Sequence, residues 1–196
     1  MIIYKSPAEI EIMRESALLV SKTLGLMAEK IEPGITPNQL DKMADEFIRD
    51  NDAVPGFLGL YDYPKSIITS VNEQVVHGIP TDRPLEEGDV VGVDIGVFKN
   101  GYYGDHAYTF PVGEIDKEVR KLLRVTKESL DKGIEQLVAG NRIGDVSFAV
   151  QKHAENFGYG VVRELVGHGL GKRCTKALKF PTLAKEAGEA RFKKDL

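Results

Sequence analysis

Residues 89–110, DVVGVDIGVFKNGYYGDHAYTF, limit the fold more than any other part of the chain. Two β-rich runs flank Lys99-Asn100-Gly101, and Asn-Gly between such runs is the strongest short hairpin signal in a sequence. In the first run Val91, Val93, Ile95 and Val97 share one face, while Gly92, Asp94 and Gly96 share the other. The return strand places Tyr103, Asp105 and Ala107 on the Asp94 face. Any two-residue turn leaves Asp94 and Asp105 directly opposite or one diagonal apart, with Cβ atoms roughly 5–8 Å from each other. Two like charges on one sheet face repel, and each costs free energy when desolvated. A cation removes both penalties. The glycines flanking Asp94 leave space for that cation and a substrate. The alternative is that both aspartates point to water from an open sheet face. Glycine, Val and Ile neighbours, rather than a Lys/Thr/Glu mix, argue against it.

Composition excludes several classes. The 196 residues, 42% hydrophobic and 29% charged, suit an ordinary soluble globular protein of one domain, or of two half-size lobes sharing a core. A net charge of −4 gives no reason to expect nucleic-acid binding. One cysteine permits no internal disulfide and gives no sign of secretion. The start, MIIYKSPAEIEIMRES, reads as neither signal nor transit peptide, and no apolar run approaches the ~18 residues of a membrane span. The cytoplasm is the expected location.

Ser6-Pro7-Ala8-Glu9 is a capping box opening a helix over 7–30, with Ile10, Met13, Ala17, Val20 and Leu24 at helical spacing. Thr36-Pro37-Asn38-Gln39 opens a second helix, marked by Leu40, Met43, Phe47 and Ile48, to about Asp50. Residues 51–64 form a Gly/Pro/aromatic loop long enough to suggest a functional role. A strand is predicted over 66–71, helices over roughly 116–138 and 145–157, and a strand over 161–166 running into Gly167-His168-Gly169-Leu170-Gly171. Val-Val-His-Gly-Ile at 75–79 and Val-Gly-His-Gly-Leu at 166–170 occupy equivalent places in two halves. This echo suggests two similar α/β halves about a pseudo-two-fold axis.

His77 and His168 therefore stand apart from His106, which alternates away from the Asp94 face, and from His153, which sits within a helix. An imidazole beside two carboxylates suits Zn, Mn, Fe or Co. The stretches Tyr63-Pro64-Lys65-Ser66, Asn72 to Pro80, Gly88 to Gly96, Gly101 to Asp105 and Gly167 to Gly171 together resemble the type I methionine aminopeptidases of the pita-bread fold. The resemblance spans residues 1–173. It implies a pseudo-two-fold antiparallel sheet flanked by helices, and removal of N-terminal methionine from nascent polypeptides. It implies two divalent metal ions, Co, Mn, Fe or Zn, held by two Asp, one His and two Glu. Asp94 and Asp105 match the chelating and bridging aspartates, and His168 the histidine ligand. His77 matches a histidine that hydrogen-bonds substrate near the scissile amide. Tyr63 and the residues around Phe57 match the wall of the methionine pocket. The family also implies a monomer, with the ribosome as a further partner. A non-catalytic peptide- or ribosome-binding module of this fold, and a proline-specific aminopeptidase, are the competing readings. The retained ligands argue against the first, and chain length with the Asn72–Pro80 motif against the second.

The match stops after Gly171. Thr175 stands where the family has a second substrate-binding histidine. Placing one A before a TGC codon for Cys174 and reading on permits Met-His-Glu-Gly-Pro-Glu-Val-Pro-Asn-Phe-Gly-Lys, the text the family leads one to expect. Residues 174 to about 189 therefore read as a compensated frameshift, and 174–196 as a divergent tail. The two family glutamates lie further on, and Glu186 and Glu189 fall in the shifted stretch. The polypeptide as it stands is expected to have little or no peptidase activity and to leave a sheet edge exposed.

Overall fold

In the computed structural model, which describes residues 4–174, 179–181 (backbone only) and 192, the Asn100-Gly101 turn forms as its residues predict. Both central residues have positive φ, 51° and 85°, the type I′ geometry that matches strand twist. β3 (Val90–Lys99) and β4 (Tyr102–Pro111) pair antiparallel from this turn, with Gly96 opposite Asp105 and Asp94 opposite Ala107. Along the other edge of β3 run β1 (Val54–Pro55) and β2 (Ile67–Val71), which set Ile68 opposite Asp94 and Ser70 opposite Gly92.

The chain divides into two compact units, one of residues 6–116 and 170–174, the other of 117–169 with the described parts of 1–5 and 175–196. In the first, Val91, Val93, Ile95 and Val97 are fully buried beneath α1 (Pro7–Lys30) and α2 (Pro37–Asp50). Both predicted capping boxes form. Ser6 and Thr36 accept from the backbone three residues on, and Glu9 and Gln39 reach back to the cap.

The buried face of α1 differs from the predicted one. Ile10 and Ala17 are exposed, whereas Ser16, Leu19, Val20, Thr23, Leu24 and Met27 are buried. Two polar residues enter the core because each hydroxyl finds a backbone acceptor, Ser16 at Tyr102 (3.1 Å) and Thr23 at Leu19 (2.8 Å). Helix and strand come so close at Ser16 that a Cβ on Gly104 would lie 2.7 Å from the Ser16 carbonyl carbon. α2 is tied to the start of β2 by Asp41, whose Oδ1 accepts from the backbone of Ser66 (2.8 Å) and Ile67 (3.0 Å).

The second unit holds α3 (Lys117–Ile134), α4 (Ile143–Asn156) and the short pair β5 (Val166–His168) and β6 (Lys179–Pro181). α3 stops four residues before the predicted end, because Gln136 and Leu137 donate three residues back rather than four. The strand expected over 161–166 is confined to 166–168. His153 bridges the two helices, its Nε2 lying 3.0 Å from Glu128 Oε2, which is the structural role its place in a helix predicts. The order helix, helix, strand, histidine recurs, as α1-α2-β2-His77 and α3-α4-β5-His168.

Candidate metal and substrate site

The face of β3 opposite the valine core carries the chemistry. Asp94 and Asp105 lie on it one diagonal apart, one of the two arrangements the turn allows. Their carboxyls are in hydrogen-bonding contact. Burial pushes that of Asp105 above its ordinary range, and the hydrogen bond with Asp94 pulls against this. Once both carboxyls are ionised, this half-buried pair is an acceptor-only set of hard oxygens, which fits a divalent cation. Among the described residues, no group of three or more His, Cys, Asp or Glu side chains is gathered for a metal. The structure thus brings Asp94 and Asp105 together as a pair. His168 closes β5 in the second unit, where it stands opposite Lys179.

An apolar cluster adjoins the carboxylates. Phe57, Ile68 and Cys174 are buried in it, with Leu60, Tyr63 and Tyr103 packed against them. Gly96 makes this possible, because a Cβ there would lie 2.6 Å from Phe57 Cε1. The expected open space beside Asp94 is therefore taken by the Phe57 ring at Gly96. At Gly92 a Cβ would meet Ser70 O and Thr109 Oγ1 only at 3.6 Å. The Gly96 carbonyl fixes the loop by accepting from Gly56 N at 2.7 Å.

Phe57 and Tyr63, both read as pocket residues from the sequence, thus share one cluster. Leu60, Ile68, Tyr103 and Cys174 complete it. Ile68 was accessible from its strand, since pairing β2 to β3 puts it on the Asp94 face. Leu60 and Cys174 come from irregular segments and carry no such signal. The Cys174 thiol donates to Asp105 Oδ2 at 4.0 Å, and its pKa is pushed up to about 12 by burial, Asp105 and Asp94. The segment bearing it is anchored where Tyr103 N donates to Gly171 O at 2.8 Å.

The Tyr63 hydroxyl lies 2.9 Å from Gly78 O and 3.1 Å from Ile67 O, and so joins the apolar cluster to the loop that carries His77. Burial first, then Asp41 and Asp94, push its pKa up to about 12, so it stays a donor at neutral pH. Gly78 is strapped to β2, donating to Ser70 Oγ (3.3 Å) and accepting from Thr69 N (3.1 Å). A Cβ at Gly78 would fall 2.1 Å from Thr69 O, so no side chain fits this approach. His77 precedes it, exposed and in the left-handed region (φ 59°).

A sequence model of metallopeptidase family M24 matches residues 11–194. The chain is 48% identical over 182 residues to methionine aminopeptidase of Clostridium acetobutylicum, covering 92% of this chain and 73% of the relative. It is 46% identical over 172 residues to methionine aminopeptidase 1 of Bacillus subtilis, covering 88% and 69%. Its fold is similar to the crystal structure of methionine aminopeptidase from Rickettsia prowazekii, with a TM-score of 0.97 at 33% identity, covering all of this chain and 79% of the other.

Proposed function

The chain belongs to metallopeptidase family M24, with methionine aminopeptidases as its relatives, and from that premise we propose how its residues serve removal of an N-terminal methionine. The enzyme is a metallo-aminopeptidase of the pita-bread fold. Asp94, Asp105 and His168 are the residues that hold divalent metal, in a site for two ions. Such ions, when bound, lower the pKa of a water and polarise the scissile carbonyl. The observation that carries this reading is the abutment of a half-buried carboxylate pair on an apolar cluster. Asp105 and Asp94, both half-buried, supply negative charge whose attraction for a cation is screened less than at an open surface.

Phe57, Leu60, Ile68, Tyr63 and Tyr103 offer the methionine side chain an apolar wall, and burying such a side chain contributes about 1.5–3 kcal/mol. A charged or short first residue forgoes that gain. Tyr63, held protonated, acts as a fastener between pocket and His77 loop rather than as a base. His77 is the residue that hydrogen-bonds the peptide near the scissile amide, on a backbone fixed at Gly78.

Residues 1–196 supply three of the five ligands that the family resemblance implies, so we expect them alone to release little methionine. Beyond Cys174, the stretch read as a compensated frameshift lies almost wholly outside the described residues, as do Glu186 and Glu189. Sequencing the source DNA from codon 172 onward tests that reading; an intact cysteine codon with no missing base removes it. Among the described residues no helix is long and apolar enough to cross a membrane. We place the protein in the cytoplasm, as a monomer that meets nascent chains at the ribosome. The deciding test titrates Mn or Co into the protein by calorimetry, with and without D105N. Binding that D105N leaves unchanged overturns the site.

A further inference from the structure

Tyr61 combines two features that rarely coexist. Its backbone is left-handed, with φ 50° and ψ 40°, and its side chain is 85% exposed. Left-handed backbone is unfavourable for an aromatic residue, and such strain persists only where the surroundings over-determine it. Asp62 beside it is also left-handed (φ 63°), as is Gly59 (φ 77°). A side chain so exposed buries too little apolar surface to offset the cost within this chain.

The surroundings do fix the loop. Gly59 N donates to Tyr63 O (2.9 Å), Leu60 N to Phe57 O (2.9 Å) and Tyr63 N to Leu60 O (3.0 Å), closing the segment on itself. Leu60 and Tyr63, on either side, pack against the apolar cluster, so the bend turns Tyr61 out as its neighbours turn in. The same Tyr63 reaches Gly78 O, in the loop where Val76 is 47% exposed next to His77. Tyr61 and His77, both left-handed, thus lie on two loops joined by the Tyr63 hydroxyl.

We propose that Tyr61 is a specificity residue for the part of the substrate that follows the first amino acid: its ring covers the second and third residues of a peptide whose methionine fills the pocket. This rests on the pocket reading above. A free amino acid ends at the pocket mouth and cannot reach this ring, whereas a polypeptide must pass it.

The test compares methioninamide with the tripeptide Met-Ala-Phe amide as ligands of the protein in the presence of Mn, by calorimetry. Y61G suits the left-handed backbone and should raise the thermal midpoint by about 2–4 °C. It should leave methioninamide binding unchanged and weaken the tripeptide at least about fivefold. Y61F, which keeps the ring, should bind both like the wild type. Equal tripeptide affinity in Y61G and wild type overturns the proposal, as does equal weakening of both ligands, which marks a merely structural role. A wild type that binds neither ligand overturns the pocket reading and this proposal with it. A wild type that binds both equally tightly overturns this proposal alone.

Discussion

Phe57 fills the space that a side chain on Gly96 would need, its Cε1 lying 2.6 Å from where that Cβ would stand. The pocket wall therefore depends on a missing methyl group in the strand that carries Asp94. G96A should push the ring away or bow β3, costing about 1–3 kcal/mol as overpacked cores do. A urea midpoint measured on the variant checks this. An unchanged midpoint shows that Phe57 is free to turn aside.

D105N separates metal binding from folding. Burial raises the pKa of Asp105, so its charge at neutral pH opposes the metal-free fold. The amide removes that charge, and the metal-free variant should melt no lower than the wild type. Its affinity for Mn should fall by at least the roughly 10–100-fold that losing even an outer partner of a metal ligand costs. In melting curves, the same concentration of added Mn should raise the midpoint of the wild type more than that of D105N.

Y63F removes one hydroxyl from between two loops. The expected loss is about 1 kcal/mol, since one hydrogen-bonding group goes and two carbonyls lose a partner. Hydrogen exchange gives a sharper reading. The Thr69 amide, which donates to Gly78 O, should exchange faster in Y63F, while the Gly96-bonded amide of Gly56 should not.

Glu9 sets an acid limit on the fold. Its carboxylate accepts from the Tyr102 hydroxyl and from Ser6, and these bonds hold its pKa down from 4.5 to about 2. Because the folded pKa is the lower one, this contribution is present above pH 4.5 and disappears as the pH falls towards 2. E9Q should flatten the dependence of thermal midpoint on pH across that window and leave the slope above it unchanged.

Much of the first unit was legible because its signals are local. Asn100-Gly101 sets the turn, and period-two alternation then fixes which side Asp94 and Asp105 take. The α1 face was misread because Ser16 and Thr23 look like surface residues until their backbone acceptors are known. Ile68 and Tyr103 join the pocket through strand pairing, which can be reasoned out. Leu60 and Cys174 arrive on segments whose path no periodicity encodes. The sequence places β5 too early because Val161, Val162 and Leu165 have β-propensity, whereas the described strand pairing begins at Val166.

The two sides of β3 have nothing in common, one a row of valines and isoleucine, the other glycine and acid. A single extra residue between Lys99 and Tyr102 would leave β3 in place but invert β4, sending Tyr103 and Asp105 into the oil and His106 and Tyr108 out among the acids. The type I′ bend is thus the molecule's indexing mark, and an insertion there would erase the reactive surface without touching any residue on it.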